Sequence, residues 1–300
     1  MDLSIIIVNY NTKELTRNCI KSVIKNTQHV SYEIILVDNA SKDGSCEYLR
    51  EFFPNLQIIG NSENLGFAKA NNQGIRAAKG KFILLLNSDT EFLEDCLPPL
   101  LKFLIDTPTA GVVGCKVLNS DETLQGSVYH FPSVWSELIF FTKGIIKNFW
   151  DPVTYFYKMR YWDHNQIRQV DCVSGCFFLI RRAVLENVGL LDEDFFMYYE
   201  DSEFCFRVRH STDYRIYYYP FYKIMHYRGK SEERLNIKDL KECYVSAYIY
   251  LNKSYGIRRA KLFKLICRLI WKSERLFLKL FFISKKAKEK ELMLEKIAAL

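Results

Sequence analysis

The 300-residue chain has no G-x-G-x-x-G fingerprint and no Walker A loop. The nearest approach, Gly74 to Lys81, has five residues between its glycines and Phe82 where Ser or Thr belongs. Dehydrogenase-like and kinase-like phosphate cradles lose most of their support there. No uninterrupted apolar run approaches the roughly 20 residues of a membrane-spanning helix. Internal repeats and low-complexity linkers are lacking too, and strand-like Leu3 to Val8 begins where a signal peptide would have its basic region. Nine cysteines lie scattered without framework spacing. Only Cys172 and Cys176 are close, and a lone C-x3-C is a weak zinc signal. Buried free thiols in a reducing compartment fit better.

What is present is ordinary globular composition, 49% hydrophobic and 26% charged, enough for one large core or two coupled lobes. The net charge of +7 is uneven. Between Arg258 and Lys288 stand eleven Lys and Arg against Glu274, a local +10 that leaves −3 for the rest. Basicity therefore belongs to one C-terminal segment.

The first hundred residues alternate strand and helix signals: Leu3 to Val8, Glu33 to Val37, Gln57 to Ile59 and Lys81 to Leu86 as strands; Thr12 to Asn26, Ser45 to Phe53 and Phe67 to Lys79 as helices. Thr12 is a candidate N-cap. Such alternation predicts an α/β fold with a mainly parallel sheet flanked by helices. Leu97 to Ile105 reads as a helix, and Gly111 to Lys116, Val173 to Arg181 and Tyr214 to Pro220 as strands. From Asn236 the chain reads as helical. Val134 to Trp150 is apolar and aromatic, with Glu137, Lys143 and Lys147 its only charges; it reads as a lobe-packing helix or an exposed membrane- or acceptor-facing surface.

Three apolar strands stop at polar residues: at Asn9-Tyr10-Asn11, at Asp38 and at Asn87-Ser88-Asp89. The carboxyl edge of a parallel sheet is where such folds bind nucleotides. Tyr10 with its flanking amides can stack on and bond a base, or the segment is a simple turn. Asp38 can accept from a base or ribose. Gly66, after Asn64, permits close backbone approach at a helix start suited to an anion. Asp89 is a candidate divalent-metal ligand or the N-cap of a helix near Leu93. Glu200-Asp201, among aromatics, can separate in pKa and supply a general base; the plainer reading is a helix start paired with Arg207 and Arg209. His226 is a structural histidine or part of a site closed by the basic, glycine-containing segment through Ser231.

Taken in order, Ile7-Val-Asn-Tyr-Asn11, Leu36-Val-Asp-Asn-Ala-Ser41, Glu63-Asn-Leu-Gly-Phe67, Leu86-Asn-Ser-Asp-Thr90, Ser174-Gly-Cys176, Phe195 to Arg207 and His226 resemble the inverting glycosyltransferases of family 2. The likeness runs from Leu3 to about Ser231 and is nearest the rhamnosyltransferase-like bacterial branch. It implies the GT-A fold, a Rossmann-like nucleotide-binding sheet, here followed by a C-terminal helical extension. Residues 1–97 would form the nucleotide-sugar half, 98–235 the acceptor and catalytic half, and 236–300 a basic amphipathic region. Asn9, Tyr10, Asp38, Asn64, Gly66 and Ser88 would hold the donor nucleotide, UDP- or dTDP-linked. Asp89 and His226 would bind Mn2+ or Mg2+, Asp201 would be the base, and Gly175, Cys176 and Glu200 would lie against the donor sugar and acceptor. The first acid of the D-x-D metal motif is Asn87 here, which shifts metal binding onto Asp89, His226 and the diphosphate.

The resemblance further implies transfer to a saccharide hydroxyl, on an acceptor that is polyprenyl-linked in many surface-polysaccharide pathways. A sugar nucleotidyltransferase is the rival enzyme, but it would carry a glycine-rich basic loop where Val8 to Asn11 stands. A non-catalytic scaffold is the third reading, against which Asp89, Asp201 and His226 together argue. In the tail, Lys261, Lys264, Arg268, Lys272, Arg275 and Lys279 recur at helical spacing with leucines, isoleucines and phenylalanines between them. An anionic membrane surface fits 258–288 better than nucleic acid, for which the apolar face is too heavy. Packing on the body or on a second copy is the alternative. The expected location is cytoplasmic, peripheral on the inner membrane face.

Overall fold

The structure is a computed structural model that describes residues 1–142, 152–227 and 237–281. Lys143 to Trp150, the segment after Tyr227 expected to close over phosphates, and tail residues Lys285, Lys286 and Lys288 lie outside these.

In chain order the elements are β1 (Leu3–Asn9), α1 (Lys13–Asn26), β2 (Tyr32–Asp38), α2 (Ser45–Phe52), β3 (Gln57–Gly60), α3 (Phe67–Ala77), β4 (Phe82–Asn87), β5 (Thr90–Phe92), α4 (Leu97–Asp106) and β6 (Ala110–Leu118). There follow β7 (Val128–Tyr129), α5 (Val134–Thr142), α6 (Pro152–Tyr157), β8 (Arg168–Val170), β9 (Cys172–Val173), β10 (Phe177–Arg181), α7 (Arg182–Val188) and α8 (Glu200–Ser211). The last are β11 (Arg215–His226), α9 (Ile237–Tyr255) and α10 (Ile257–Phe281).

The main sheet runs β3-β2-β1-β4-β10-β6-β11-β5, with β8 also on β11. Its first half is wholly parallel, as the alternating sequence predicts. Beyond β4 it turns mixed, because β10 runs antiparallel to both β4 and β6. Ile5 and Ile7 point into one core and Ile6 into the other, all fully buried, as a strand between two helix layers requires. The first core also takes Leu84, Leu86 and the inner faces of α1 and α4; the second takes Leu85 and the inner faces of α3 and α8.

A third apolar cluster joins Leu138 and Phe141 of α5, Tyr244, Ala247 and Tyr250 of α9, and Phe263, Cys267 and Trp271 of α10. The apolar stretch from Val134 is thus a lobe-packing helix through Thr142.

Four expectations change. The strand predicted over Val173 to Arg181 is broken by Ser174-Gly175-Cys176, which leaves the sheet to enter the site. β11 extends past Pro220: consecutive Cys115 and Lys116 pair with Tyr219 and Lys223, so Pro220, Phe221 and Tyr222 loop out of the ladder where proline's missing N–H costs nothing. Asp89 caps no helix, since β5 follows it and α4 starts at Leu97. Thr12 does precede α1, but its hydroxyl bonds Asn9 Oδ1 rather than capping the helix.

Candidate active site

The parallel register sets Asn9 beside Asp38 and Val8 beside Asn87, so three strand ends meet on one edge. Asn9 is fully buried, and its amide is spent inward. Nδ2 donates to Asp38 Oδ1 (2.7 Å) and Ser41 Oγ (2.9 Å), while Oδ1 accepts from Thr12 and Thr16. In the structure its side chain holds Asp38. Asp38 Oδ2 accepts the Ser41 N–H at 3.0 Å, closing the turn after β2. Tyr10, 47% exposed, stands open at the rim. Ser88 Oγ lies 3.1 Å from Thr12 Oγ1.

Asn64 Oδ1 accepts from Asn39 Nδ2 (2.8 Å) and from the Gly66 N–H (2.9 Å). Asn39 is buried and also bonds the Leu65 N–H, the Gly66 carbonyl and Asn61. Sequence reasoning passed over this asparagine, although it directly follows Asp38. Gly66 has φ +83°, and a Cβ there would lie 2.4 Å from the Phe196 carbonyl oxygen. The Phe67 N–H donates to that same oxygen at 2.7 Å. The close approach that Gly66 permits is therefore to the chain's own Phe196. The first N–H of α3 is thus taken by the chain itself.

At the end of β4, Asp89 Oδ1 lies 3.1 Å from His226 Nε2, and both side chains are largely buried. Gln125 fixes the ring. Its Nε2 donates to the His226 carbonyl (3.1 Å) and to Asn119 Oδ1 (2.7 Å), so Oε1 faces His226 Nδ1 at 2.7 Å and accepts its hydrogen. With Nδ1 so engaged, Nε2 faces Asp89 and, in the charged ring, donates its hydrogen to that carboxylate. Burial pulls this imidazole down, but the facing Cys176 and Asp89 outweigh it and hold it up at about 10. Asn87 Nδ2 lies 3.3 Å from Nε2, while Asn87 Oδ1 is buried without a hydrogen-bond partner among the described residues.

That orphaned oxygen, Asp89 and His226, once its Nε2 proton is released, fit a divalent cation that completes its shell from a diphosphate. Among the described residues no three His, Cys, Asp or Glu side chains form a metal cluster by themselves. All nine cysteines are unpaired, and Cys172 turns to Ser202 and Cys205, away from Cys176.

The turn at Ser174-Gly175-Cys176 ties this corner to the carboxylates. Cys176 O accepts the Asn87 N–H (3.1 Å), and the Gly175 N–H donates to Asp201 Oδ2 (2.9 Å). Asp201 Oδ1 accepts the Ser202 N–H at 2.6 Å. Burial raises the Asp201 carboxyl, against these N–H donors, and pushes Glu200 up to about 8 with help from the Asp201 charge. Glu200 Oε2 is buried with no hydrogen-bond partner among the described residues. Arg207 pairs with Glu203, so the ion pair at this helix start forms one turn past the dyad.

The glycosyl transferase family 2 profile matches residues 4–189. The chain belongs to that family. Two relatives carry the comparison further. An N-acetylglucosaminyl-diphospho-decaprenol L-rhamnosyltransferase of Mycobacterium tuberculosis is 26% identical over 73% of this chain and 74% of its own. The low-salt glycan biosynthesis hexosyltransferase Agl10 of Haloferax volcanii is 28% identical over 69% of this chain and 62% of its own. S. aureus TarS 1-349 superposes over 97% of this chain and 77% of its own, with TM-score 0.55 at 14% identity. The mannosyltransferase PcManGT of Pyrobaculum calidifontis, in complex with GDP-Man and Mn2+, does so over 99% and 85%, with TM-score 0.54 at 18% identity. The fold of this family 2 glycosyltransferase is GT-A, and its relatives act in cell-wall and polysaccharide synthesis.

Proposed function

We propose that this glycosyltransferase moves a sugar, with inversion and in a metal-dependent manner, from a UDP- or dTDP-linked donor to a saccharide hydroxyl during surface-polysaccharide assembly. Rhamnose is the sugar favoured by likeness to the mycobacterial relative, and a polyprenyl-linked saccharide is the acceptor favoured on the same ground. The observation that carries the reading is the approach of His226 Nε2 to Asp89 Oδ1, with Gln125 holding the ring and the Ser174-Gly175-Cys176 turn linking Asn87 to Asp201.

Residues 1–97 serve the donor: Tyr10 stacks on the base and Asp38, braced by Asn9, accepts from base or ribose. Ser88, Asn64 and Gly66 shape the wall beside the nucleotide. Asp89, His226 and the Asn87 amide oxygen would hold Mn2+ or Mg2+, which when bound neutralises charge on the leaving diphosphate. Residues 98–235 serve the acceptor. Asp201 takes the proton of the attacking hydroxyl, and its raised pKa suits it to that work; such a base is typically worth roughly 10²–10⁴-fold in rate. Gly175 keeps Asp201 in place through its N–H, and Cys176 and Glu200 line the donor-sugar and acceptor side. Glu200, protonated near neutrality, can donate to a sugar oxygen. Attack from the face opposite the diphosphate inverts the anomeric carbon in one displacement.

α10 supports a place at an anionic membrane surface. Its inward face (Ala260, Phe263, Cys267 and Trp271) is buried on α5 and α9, while Leu262, Leu265 and Leu269 are 49%, 55% and 58% exposed beside Lys261, Arg268 and Lys272. An exposed leucine row flanked by cations suits the headgroup layer of an anionic leaflet on the cytoplasmic face. No helix among the described residues is long and apolar enough to cross a membrane.

Thermal stabilisation by a panel of nucleotide sugars with Mn2+ tests the donor assignment, because a ligand specific to the native state raises Tm. Release of pyrophosphate from a nucleoside triphosphate and a sugar phosphate would instead mark a nucleotidyltransferase. Co-sedimentation with phosphatidylglycerol vesicles, lost on replacing the three leucines by serine, tests the surface; a concentration-dependent dimer abolished by the same change would assign that row to a second copy.

A further inference from the structure

Glu137 lies on α5 inside the apolar cluster of the C-terminal helices, 2% exposed. Burial pushes its carboxyl up to about 7. An apolar side chain of similar volume would fill that place without the cost of burying a carboxyl. What the carboxylate adds is its bonds: Oε2 accepts the Tyr199 hydroxyl hydrogen, and Oε1 lies 3.3 Å from Ser136 Oγ.

Tyr199 is the residue before Glu200 and Asp201. It has φ +67°, and Tyr198 before it has φ +71°. Two consecutive left-handed residues with side chains persist only when their surroundings hold them. Here three elements do so. α5 supplies Glu137. α9 supplies Ser246, whose Oγ donates to the Met197 carbonyl at 2.8 Å, and Tyr250, whose ring lies 5.9 Å from that of Tyr199. The start of α3 supplies the Phe67 N–H for the Phe196 carbonyl. Beyond the strained pair, Tyr199 O accepts the Glu203 N–H at 2.8 Å and α8 begins, with Asp201 at its second position against Gly175.

We propose that Glu137 is a positioning residue for sugar transfer: through the Tyr199 hydroxyl it fixes the left-handed turn that aims Glu200 and Asp201. The C-terminal helical layer thereby sets the geometry of the base as well as covering the body. This rests on the reading of Asp201 as that base. Glu137 touches no reacting atom in this scheme.

The test uses the full chain with Glu137→Gln, Glu137→Leu and Tyr199→Phe, and with Phe263→Leu as a variant that loosens the same cluster away from the turn. Amide hydrogen exchange over residues 197–203 is measured alongside turnover of the nucleotide sugar that the wild type consumes. Glu137→Leu and Tyr199→Phe speed exchange in that segment and lower kcat about 10- to 100-fold, while the donor Kd changes less than about twofold. Glu137→Gln keeps kcat near wild type, because its amide oxygen accepts the same hydrogen. Phe263→Leu lowers Tm without that loss of kcat.

Wild-type exchange and kcat in a folded Glu137→Leu or Tyr199→Phe enzyme overturns the proposal. So does a loss in Phe263→Leu that matches theirs. The two readings fail separately: full turnover by Asp201→Asn removes Asp201 as the base, whereas the exchange data still decide whether Glu137 holds the turn.

Discussion

His226 Nε2 stands 3.1 Å from Asp89 Oδ1, bringing the last residue of β11 against the residue just before β5. β5 makes the meeting possible: it returns from Asp89 to pair antiparallel with the end of β11, with Thr90 opposite His226. Sheet register, and not a local motif, closes this corner.

Gln125 governs that corner by orienting the His226 ring. Replacing it by Leu removes the acceptor for His226 Nδ1–H and frees the ring to rotate or change tautomer. Mn2+ affinity, measured by titration calorimetry or electron paramagnetic resonance in the presence of UDP, then falls about 10–100-fold. Asp89→Asn and His226→Ala weaken binding at least as much. Unchanged Mn2+ affinity in all three would remove the metal role.

Asp201→Asn separates chemistry from binding. The asparagine carbonyl can still accept the Gly175 N–H, which keeps that tie of the turn, while the bond from the Ser202 N–H is lost. Transfer falls by roughly 10²–10⁴-fold, the usual worth of a general base, with donor affinity nearly unchanged in calorimetry.

Gly66→Ala meets two penalties together: a left-handed φ of +83° and a Cβ placed 2.4 Å from the Phe196 carbonyl oxygen. Urea unfolding should show a loss of about 1–3 kcal/mol. Because Phe196 leads into the turn before α8, turnover falls as well.

Stability should decline with rising pH between about 4.5 and 8. Burial raises Glu137 to about 7 and Glu200 to about 8, above the ordinary 4.5. Over that window the native state binds more protons than the unfolded chain, so each carboxyl's contribution is intact below 4.5 and is lost as pH climbs through its folded pKa, by at most about 1.4 kcal/mol per pH unit. Glu137→Gln and Glu200→Gln should each flatten the dependence of Tm on pH. An equally steep decline in the double variant would contradict the assignment.

Much of the N-terminal half of the sheet was legible in the sequence because its signals are local. Apolar runs ending at Asn9, Asp38 and Asn87 mark parallel strands that deliver polar groups to one edge, and the structure sets them side by side. The partners of those groups were not legible. Nothing in the sequence ties Asn9 to Asp38, Ser41, Thr12 and Thr16, which it bonds in the structure. Gln125 lies in an irregular segment after β6, with no pattern to connect it to His226. Phe196 meets Gly66 across the whole middle of the chain, and Glu137 meets Tyr199 between two elements whose apolar periodicity says nothing of a single hydroxyl bond. The break of a strand at Ser174-Gly175-Cys176 is likewise a tertiary effect, since apolar residues flank it on both sides.

The anomeric configuration of the product decides most directly whether these residues perform single-displacement sugar transfer. Proton NMR of the product formed from an anomerically defined nucleotide sugar, in the presence of Mn2+ and the acceptor, should show inversion at the transferred carbon, with the signal absent in Asp201→Asn. Retained configuration, or inverted product formed at the wild-type rate by Asp201→Asn, would contradict it.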